Sequence, residues 1–181
     1  MQTDEKLILS LIQSKDQKRE GFRLLVQSYE KPLYSVIRKM IIDHDETADL
    51  LQDTFIKIWE KLDSFKGDAQ FYTWVYRIAI NHCLQHLKKQ KRRRMWSTGY
   101  EEEKIAQLQA TPSISGDEIQ LKLQKAILKL PDKQRLVFNL KYYEDMSYDQ
   151  IARITNTTSG ALRATYHHAV KKIEKMIQMD T

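Results

Sequence analysis

The sequence predicts an all-α protein of two small helical domains joined by a flexible linker, with a helix-turn-helix in the C-terminal domain. Five glycines and three prolines among 181 residues leave few turn residues for a fold of many hairpins. Leu, Ile, Lys, Gln and Glu, which suit helices, are abundant. Apolar residues also recur at helical spacing along most of the chain. These observations favour helices over strands.

The helical period itself divides the chain. It runs from Leu7 almost to Leu87 and resumes at Ile119. Between these stretches the sequence loses the period and gains Ser, Thr, Gly, Pro and an acidic triplet, which is typical of a linker. We therefore predict an N-terminal domain, a linker and a C-terminal domain over residues 1–94, 95–117 and 118–181.

Composition limits the class of protein. The net charge of +6 makes polyanions such as nucleic acid a natural partner class, although a solvated basic surface explains the same charge. The single cysteine, Cys83, excludes an internal disulfide framework and is expected to be a buried apolar residue. The N-terminus lacks a cleavage signal, and no stretch approaches the roughly 20 apolar residues of a membrane span. We expect a soluble, cytoplasmic protein.

The segment from Glu46 to Leu62, "ETADLLQDTFIKIWEKL", predicts a helix with two contrasting faces. The face predicted to meet the core carries Leu51, Phe55, Ile58 and Leu62. The opposite face carries Asp49, Gln52, Asp53 and Glu60, with Ile56 among them and Trp59 at the edge. Such a face fits a protein-binding hot spot surrounded by charge. A solvated helix face with one exposed isoleucine explains the pattern as well.

The next segment predicts a long helix that is aromatic at its start and basic at its end. Its aromatic residues are Phe71, Tyr72, Trp74 and Tyr76, and its basic residues are Lys88, Lys89, Lys91, Arg92, Arg93 and Arg94. This combination fits base stacking together with phosphate attraction. Alternatively, the aromatic residues belong to the core, and the basic run is a solvated helix end favoured by the helix dipole.

Residues 147–172 predict two short helices separated by a polar turn. Ser147 and Gln150 match a capping box at the start of the first helix. In the turn, Asn156 tolerates the left-handed backbone conformation, and a threonine can cap the second helix. These features predict a helix-turn-helix.

The second of these helices has the faces of a recognition helix. The inward face carries Leu162, Tyr166, Ala169 and Ile173, and the outward face carries Gly160, Arg163, Ala164, His167 and Lys171. Small residues allow the backbone to approach base edges, and long basic residues reach bases and phosphates, so we favour DNA binding over a purely structural role. His167 and His168 point about 100° apart on a helix and are a poor metal pair. No metal or cofactor is predicted.

Placed in order, these segments resemble a bacterial extracytoplasmic-function (ECF) sigma factor of RNA polymerase, over roughly residues 4–177. The helix from Glu46 resembles the core-binding segment of that family. Residues 71–94 are similar to its Trp-containing helix for promoter melting and -10 recognition, and residues 130–175 to its fourth region. The chain departs from the family at Thr165 and His168, where many members carry arginine, and at Asn156, where the turn usually has glycine.

The resemblance implies a role for each segment. Docking on a basic coiled coil of the polymerase's largest subunit would involve Asp49, Gln52, Asp53, Ile56 and Trp59. The -10 element would be bound by Lys66, Asp68, Gln70, Phe71, Trp74, Arg77, Asn81, Lys88 and Arg92. The -35 element would be bound by Ser159, Gly160, Arg163, Ala164, His167 and Lys171. The linker acids Glu101–Glu103 would thread towards the RNA exit path.

The resemblance also implies partners and a mechanism. The partners are core RNA polymerase and promoter DNA, and the family suggests a membrane-linked anti-sigma factor as well. The mechanism is recognition without catalysis, with no small-molecule substrate. Two alternatives remain open. A stand-alone helix-turn-helix repressor or activator would not explain the acidic face, and a helical nuclease or phosphotransferase would need convergent carboxylates or a Gly-rich phosphate loop, which we do not find.

Overall fold

A computed structural model describes residues 2–94, 106 and 118–179, and throughout these residues the fold is helical. The N-terminal domain contains α1 (Gln2–Gln13), α2 (Lys18–Ile41), α3 (His44–Lys61), a short 3-10 turn (Leu62–Ser64) and α4 (Phe71–Arg94). The C-terminal domain contains α5 (Glu118–Leu128), α6 (Asp132–Tyr142), α7 (Tyr148–Thr155) and α8 (Ser159–Met179). The prediction of two all-α domains is confirmed.

Most of the predicted linker, including Glu101–Glu103, lies outside the described residues. The predicted domain boundaries therefore stay predictions. In the part of the chain that the structure describes, no helix is both long enough and apolar enough to cross a bilayer.

The N-terminal core forms where the helical period predicts it. All α2 residues at this period except the partly buried Phe22 are at most 5% exposed, and those of α3 are at most 9% exposed. The buried residues are Leu25, Tyr29, Leu33, Ile37 and Ile41 in α2, and Leu51, Phe55, Ile58 and Leu62 at α3 and its end. Cys83 is buried in the same cluster, as expected. The two contrasting faces of α3 are thus confirmed.

In α1, the first residue of the apolar period, Leu7, lies outside the core. Leu7 is 53% exposed, whereas its neighbour Ile8 is 1% exposed. The reason is the close packing of α1 on α2 at Gly21, where an added Cβ would lie 2.8 Å from the backbone nitrogen of Ile12. This contact fixes which face of the apolar α1 turns inward. At the start of α5, Ile119 is similarly outside the core, at 78% exposed.

The helix-turn-helix is built by the caps that the sequence predicts. Ser147 Oγ accepts from the Gln150 backbone N–H, and the Gln150 side chain accepts from the Ser147 backbone N–H. Asn156 ends α7 in the left-handed conformation, at φ 53° and ψ 48°. Thr158 Oγ1 accepts from the Ala161 backbone N–H and so satisfies one free donor of the first turn of α8.

The two domains pack against each other. Helix α2 contacts α6, and α4 contacts α7. One cluster of buried side chains extends from Ile37 and Leu87 in the N-terminal domain to Leu140 and Ile151 in the C-terminal domain. The sequence predicts both domains but gives no sign of this contact.

Candidate functional site

The acidic face of α3 is exposed as predicted. Asp49, Gln52 and Asp53 lie on the surface, and Ile56 is 51% exposed among them. Trp59 is half-buried at the edge of this face, where its ring packs edge-on against Phe22 with centroids 4.9 Å apart. We call these residues, Asp49, Gln52, Asp53, Ile56 and Trp59, the α3 face.

An apolar groove runs beside the α3 face, between α2 and α3. It has a volume of about 380 Å³ and is lined by Arg19, Phe22, Gln52, Phe55, Ile56 and Trp59. Arg19 and Phe22 belong to α2 and were not predicted as site residues, although Phe22 belongs to the helical period of α2 and is only partly buried. The groove can accept an apolar side chain of a partner while the surrounding carboxylates attract a basic surface.

Polar contacts join α3 to α4. Thr54 Oγ1 donates to the Leu50 carbonyl and lies 3.0 Å from His82 Nδ1. Glu46 Oε1 lies 2.8 Å from His86 Nε2. Burial lowers the pKa of His82 below its ordinary value, and the charge of Lys57 acts in the same direction. These contacts hold the α3 face in a fixed relation to α4.

The aromatic start of α4 is divided between core and surface. Phe71 and Tyr76 are 2% and 3% exposed, so the structure places both in the core. Trp74 is half-buried and stacks on Phe71, with centroids 5.8 Å apart and planes 15° apart. A DNA contact by Phe71 stays a prediction that would require the side chain to leave this core. Trp74 is better placed to meet a base.

The loop before α4 projects into solvent. Lys66, Asp68 and Gln70 are exposed, and Gly67 has φ 79°, which favours glycine at that position. At the other end of α4, Lys88 and Arg92 are also exposed. These five predicted site residues are free to meet a ligand in the structure described.

The middle of α4 is different because the C-terminal domain lies against it. Arg77 is partly buried, and its Nη2 donates to the Arg153 carbonyl of α7 at 2.7 Å. Asn81 is exposed but lines a groove of about 160 Å³ between the domains, together with Leu162 and Thr165 of α8. Two of the residues predicted to bind the -10 element, Arg77 and Asn81, therefore lie against the chain's own C-terminal domain.

The outward face of α8 is open. Gly160, Arg163, Ala164, His167 and Lys171 are exposed, and we call them the α8 face. Leu162, Ala169 and Ile173 are buried on the other side, as predicted, and Tyr166 is partly buried there. An added Cβ at Gly160 would meet no atom of the described residues within 4 Å.

Two side chains of α8 are positioned by α7. Ser159 Oγ donates to Asp149 Oδ1, and the Arg163 guanidinium lies 5.3 Å from the centre of the Tyr148 ring. A cation over an aromatic face is restricted without losing its hydrogen-bond donors. The Arg163 side chain is thus restricted in orientation, while its guanidinium N–H groups stay available for hydrogen bonds. Among the described residues, no cluster of three or more His, Cys, Asp and Glu side chains could hold a metal ion.

Family comparisons agree with this geometry. The family described as Sigma-70 region 2 matches residues 25–93, which include the α3 face and all but the last residue of α4. The family described as Sigma-70, region 4 matches residues 120–173, which include the α8 face.

Two relatives match along nearly the whole chain. The RNA polymerase sigma-H factor of Pseudomonas aeruginosa is 31% identical over 186 residues, covering 98% of this chain and 95% of that protein. The ECF RNA polymerase sigma-E factor of Escherichia coli K12 is also 31% identical over 186 residues, covering 98% of this chain and 96% of that protein.

Two solved structures share the fold. CnrH in complex with the cytosolic domain of CnrY gives a TM-score of 0.71 at 20% identity, covering 98% of this chain and 99% of that chain. The sigma factor RpoE in complex with the anti-sigma factor NepR, from Bartonella quintana, gives 0.67 at 23% identity, covering 93% and 100%. Both region 2 and region 4 match, and the sequence relatives extend over nearly the full length, so the chain belongs to the ECF sigma factors of bacterial RNA polymerase.

Proposed function

We propose that three surfaces of this sigma factor divide the work of promoter-specific transcription initiation. The α3 face binds core RNA polymerase, the loop before α4 and α4 itself bind and help to open the -10 element, and the α8 face binds the -35 element. The observation that carries the proposal is the opposite character of two exposed faces on one chain. The α3 face is acidic around Ile56, whereas the α8 face begins with small residues and becomes basic.

Docking of the polymerase fits the α3 face for two reasons. Asp49 and Asp53 attract a basic helical surface, which speeds the encounter and selects the partner. Ile56 and the groove beside it supply apolar area that leaves water only when the partner binds. Charge alone would give a weak, salt-sensitive contact, so both features are needed.

Opening of the -10 element requires a site for unstacked bases. Trp74 is partly exposed beside the Lys66–Gln70 loop, while Lys88 and Arg92 lie further along α4 and can contact phosphates. Single-stranded bases stack on such an aromatic ring, and these contacts offset the energy of unpairing. Bases that are paired and stacked in duplex DNA cannot stack on this ring.

The α8 face supports recognition of duplex DNA in the major groove. Gly160 leaves the start of the helix without a side chain, so the backbone can approach base edges. Arg163, one turn further, has the forked donors that pair with two acceptors of a guanine. Lys171 lies deeper in the helix and is proposed to contact phosphate.

The proposed mechanism is recognition and not catalysis, with no cofactor and no small-molecule substrate. Two DNA contacts and a polymerase contact on one chain raise each other's effective concentration, so none of them needs high affinity alone. The proposed location is the cytoplasm, where polymerase and chromosome meet. An anti-sigma factor is proposed as a further partner, supported by the complex of RpoE with NepR. A membrane link for that partner is supported by the complex of CnrH with a cytosolic domain.

Run-off transcription with purified core polymerase on a genomic library tests this function. Discrete transcripts are expected only when polymerase and this chain are both present, and their start sites identify the promoter. Asp53→Lys should weaken polymerase binding by about 2 kcal/mol or more, as at other charged hot spots, and reduce the transcripts. Glu30→Lys, the same charge change at an exposed position of α2, is the matched control and should have no effect.

The competing hypothesis is a stand-alone helix-turn-helix regulator, which the open α8 face would also permit. The isolated protein should bind duplex promoter DNA weakly, whereas its complex with polymerase should bind and melt it, with an affinity that falls steeply as salt increases. Nanomolar, sequence-specific binding by the isolated protein at physiological salt would favour the regulator instead.

A further inference from the structure

Trp59 of the α3 face is held from the side of α2. Lys18 and Phe22 lie one turn apart on α2, while Trp59 belongs to the last turn of α3 and Asp63 to the 3-10 turn that follows. The Phe22 ring packs edge-on against the Trp59 ring, with centroids 4.9 Å apart and planes 64° apart. Lys18 Nζ lies 5.1 Å from the centre of the same indole ring. We call Lys18, Phe22, Trp59 and Asp63 the Trp59 cluster.

Asp63 fixes the position of the Lys18 ammonium group. Lys18 Nζ donates to both carboxylate oxygens of Asp63, at 2.6 and 2.8 Å. A free lysine side chain samples many rotamers, whereas two hydrogen bonds to one carboxylate hold this ammonium group beside the Trp59 ring. Because a cation is attracted to the face of an aromatic ring, the held ammonium group restricts the ring in turn.

The place of Lys18 in its own helix does not account for it. Lys18 is the first residue of α2, where the positive end of the helix dipole disfavours a cation. The Lys18 side chain is 24% exposed, but the Asp63 side chain is 81% exposed, so solvent screens the ion pair. Such a pair contributes little to the stability of the fold. The role of Lys18 therefore lies in its contact with Trp59.

The orientation of the Trp59 ring determines the shape of the apolar groove beside the α3 face. Phe22 and Trp59 both line this groove, together with Ile56. Trp59 is half-buried, so a change of rotamer would move a large aromatic surface into or out of the groove. A partner that binds a groove whose lining already has its bound orientation avoids the entropy cost of ordering that side chain.

We propose that Lys18 is a positioning residue of the polymerase-binding site, which holds the Trp59 ring against Phe22 so that the groove is formed before polymerase docks. The inference rests on the proposed binding of polymerase by the α3 face. Lys18 acts through Trp59, and Asp63 keeps its charge paired, so Lys18 itself needs no contact with polymerase. The site thereby extends from α3 to the first turn of α2.

The sign of one substitution separates positioning from simple electrostatics. Lys18→Met removes the charge and keeps a long, unbranched side chain. If Lys18 were only a surface charge, its loss would make the site more acidic and would strengthen binding to a basic surface of polymerase. Positioning of Trp59 predicts weaker binding instead.

Two further variants complete the set. Lys18→Arg keeps a cation that can pair with Asp63 and lie over the Trp59 ring, so it should behave as the parent does. Lys15→Met is the matched control, because it removes the same charge from an exposed position in the turn before α2.

The first measurement is the mobility of the Trp59 indole in the full-length protein without polymerase. The heteronuclear Overhauser effect of the indole N–H reports this motion, and replacing each of the three tryptophans by phenylalanine in turn assigns the signals. The parent, Lys18→Arg and Lys15→Met should show a restricted indole, and Lys18→Met a more mobile one. An indole that is equally restricted in Lys18→Met would overturn the inference.

The second measurement is the Kd of each variant for core polymerase. Lys18→Met should raise the Kd about threefold to tenfold, as expected when one large side chain must be ordered on binding. Lys15→Met should leave the Kd unchanged or lower it. In a Trp59→Ala background Lys18→Met should have no further effect, because positioning requires the ring.

The outcomes of the binding assay are distinguishable. Tighter binding by Lys18→Met, or the same loss with and without Trp59, would overturn the inference. Thermal unfolding checks that each variant is folded at the assay temperature. If the parent itself fails to bind polymerase, the proposed function falls and the inference falls with it, even where the indole shows the expected mobility.

Discussion

Truncation of Ile56 gives the sharpest test of the α3 face. Ile56→Ala removes three side-chain carbons, which at about 0.8 kcal/mol each are worth about 2.4 kcal/mol when they are fully buried. Ile56 is 51% exposed in the free chain, so docking can remove about half of this area from water. The expected loss in binding is therefore about 1.2 kcal/mol, or an increase of about eightfold in the Kd for core polymerase.

A matched control exists on α1. Leu7 is 53% exposed, so Leu7→Ala removes a similar exposed apolar group away from the α3 face. Titration of core polymerase into labelled protein, followed by anisotropy, gives the Kd of both variants and the parent. Thermal unfolding checks that each variant is folded at the assay temperature. A Kd for Ile56→Ala within about twofold of the parent, or an equal weakening by Leu7→Ala, would refute the reasoning, since the estimate requires a contact specific to this face.

Three further predictions concern α8 and the contact between α3 and α4. Gly160→Ala should stabilise the protein by about 0.5–1 kcal/mol, because alanine favours a helix and the added Cβ meets no atom within 4 Å in the part of the chain that the structure describes. The same substitution should weaken polymerase-dependent binding to the -35 element, because the new methyl group would hold the backbone away from the bases. Thermal unfolding measures the change in stability and DNA titration the change in binding. Unchanged DNA binding would contradict the second expectation. Arg163→Ala should cost about 1–3 kcal/mol at the cognate element and relax preference at one or two positions, whereas Lys171→Ala should weaken all sequences alike and reduce the salt slope by about one contact. A panel of single-base substitutions separates these outcomes, and an equal loss on every sequence would make Arg163 a phosphate contact only. Burial lowers the pKa of His82 in the folded chain, so as the pH falls the unfolded chain binds a proton at His82 before the folded chain does. The free energy of unfolding should therefore decrease as the pH falls below about 6.5. His82→Asn, which keeps a donor for Thr54, should lessen this decrease in chemical denaturation, and identical pH profiles would contradict it.

Local features of this fold can be predicted from the sequence because their causes are local. The capping box at Ser147, the left-handed Asn156 and the two faces of α3 depend on residues within a few positions of one another. The same holds for the α8 face, where spacing alone separates Leu162 from Arg163. Such features are fixed by the geometry of a single helix.

Features that depend on contacts between distant residues could not be predicted. Glu144 meets Lys39 across 105 positions, and no periodicity relates them. Phe71 and Trp74 have the same aromatic character in the sequence, but packing buries the first and leaves the second partly exposed. The inward face of α1 also depends on tertiary packing, because its apolar residues spread around the helix and the close contact at Gly21 accompanies the burial of Ile8. Tertiary packing decides such cases.

The contacts between α3 and α4 have a consequence for where transcripts begin. Thr54 with His82 and Glu46 with His86 join α3, which we propose binds polymerase, to α4, which we propose holds the opened bases. Under the proposed function, these contacts would keep the polymerase's catalytic centre at a constant number of nucleotides from the -10 element, and the C-terminal domain takes no part in them. When one base pair is inserted between the two promoter elements, the start site should stay in register with the -10 element, and only the yield of transcript should fall.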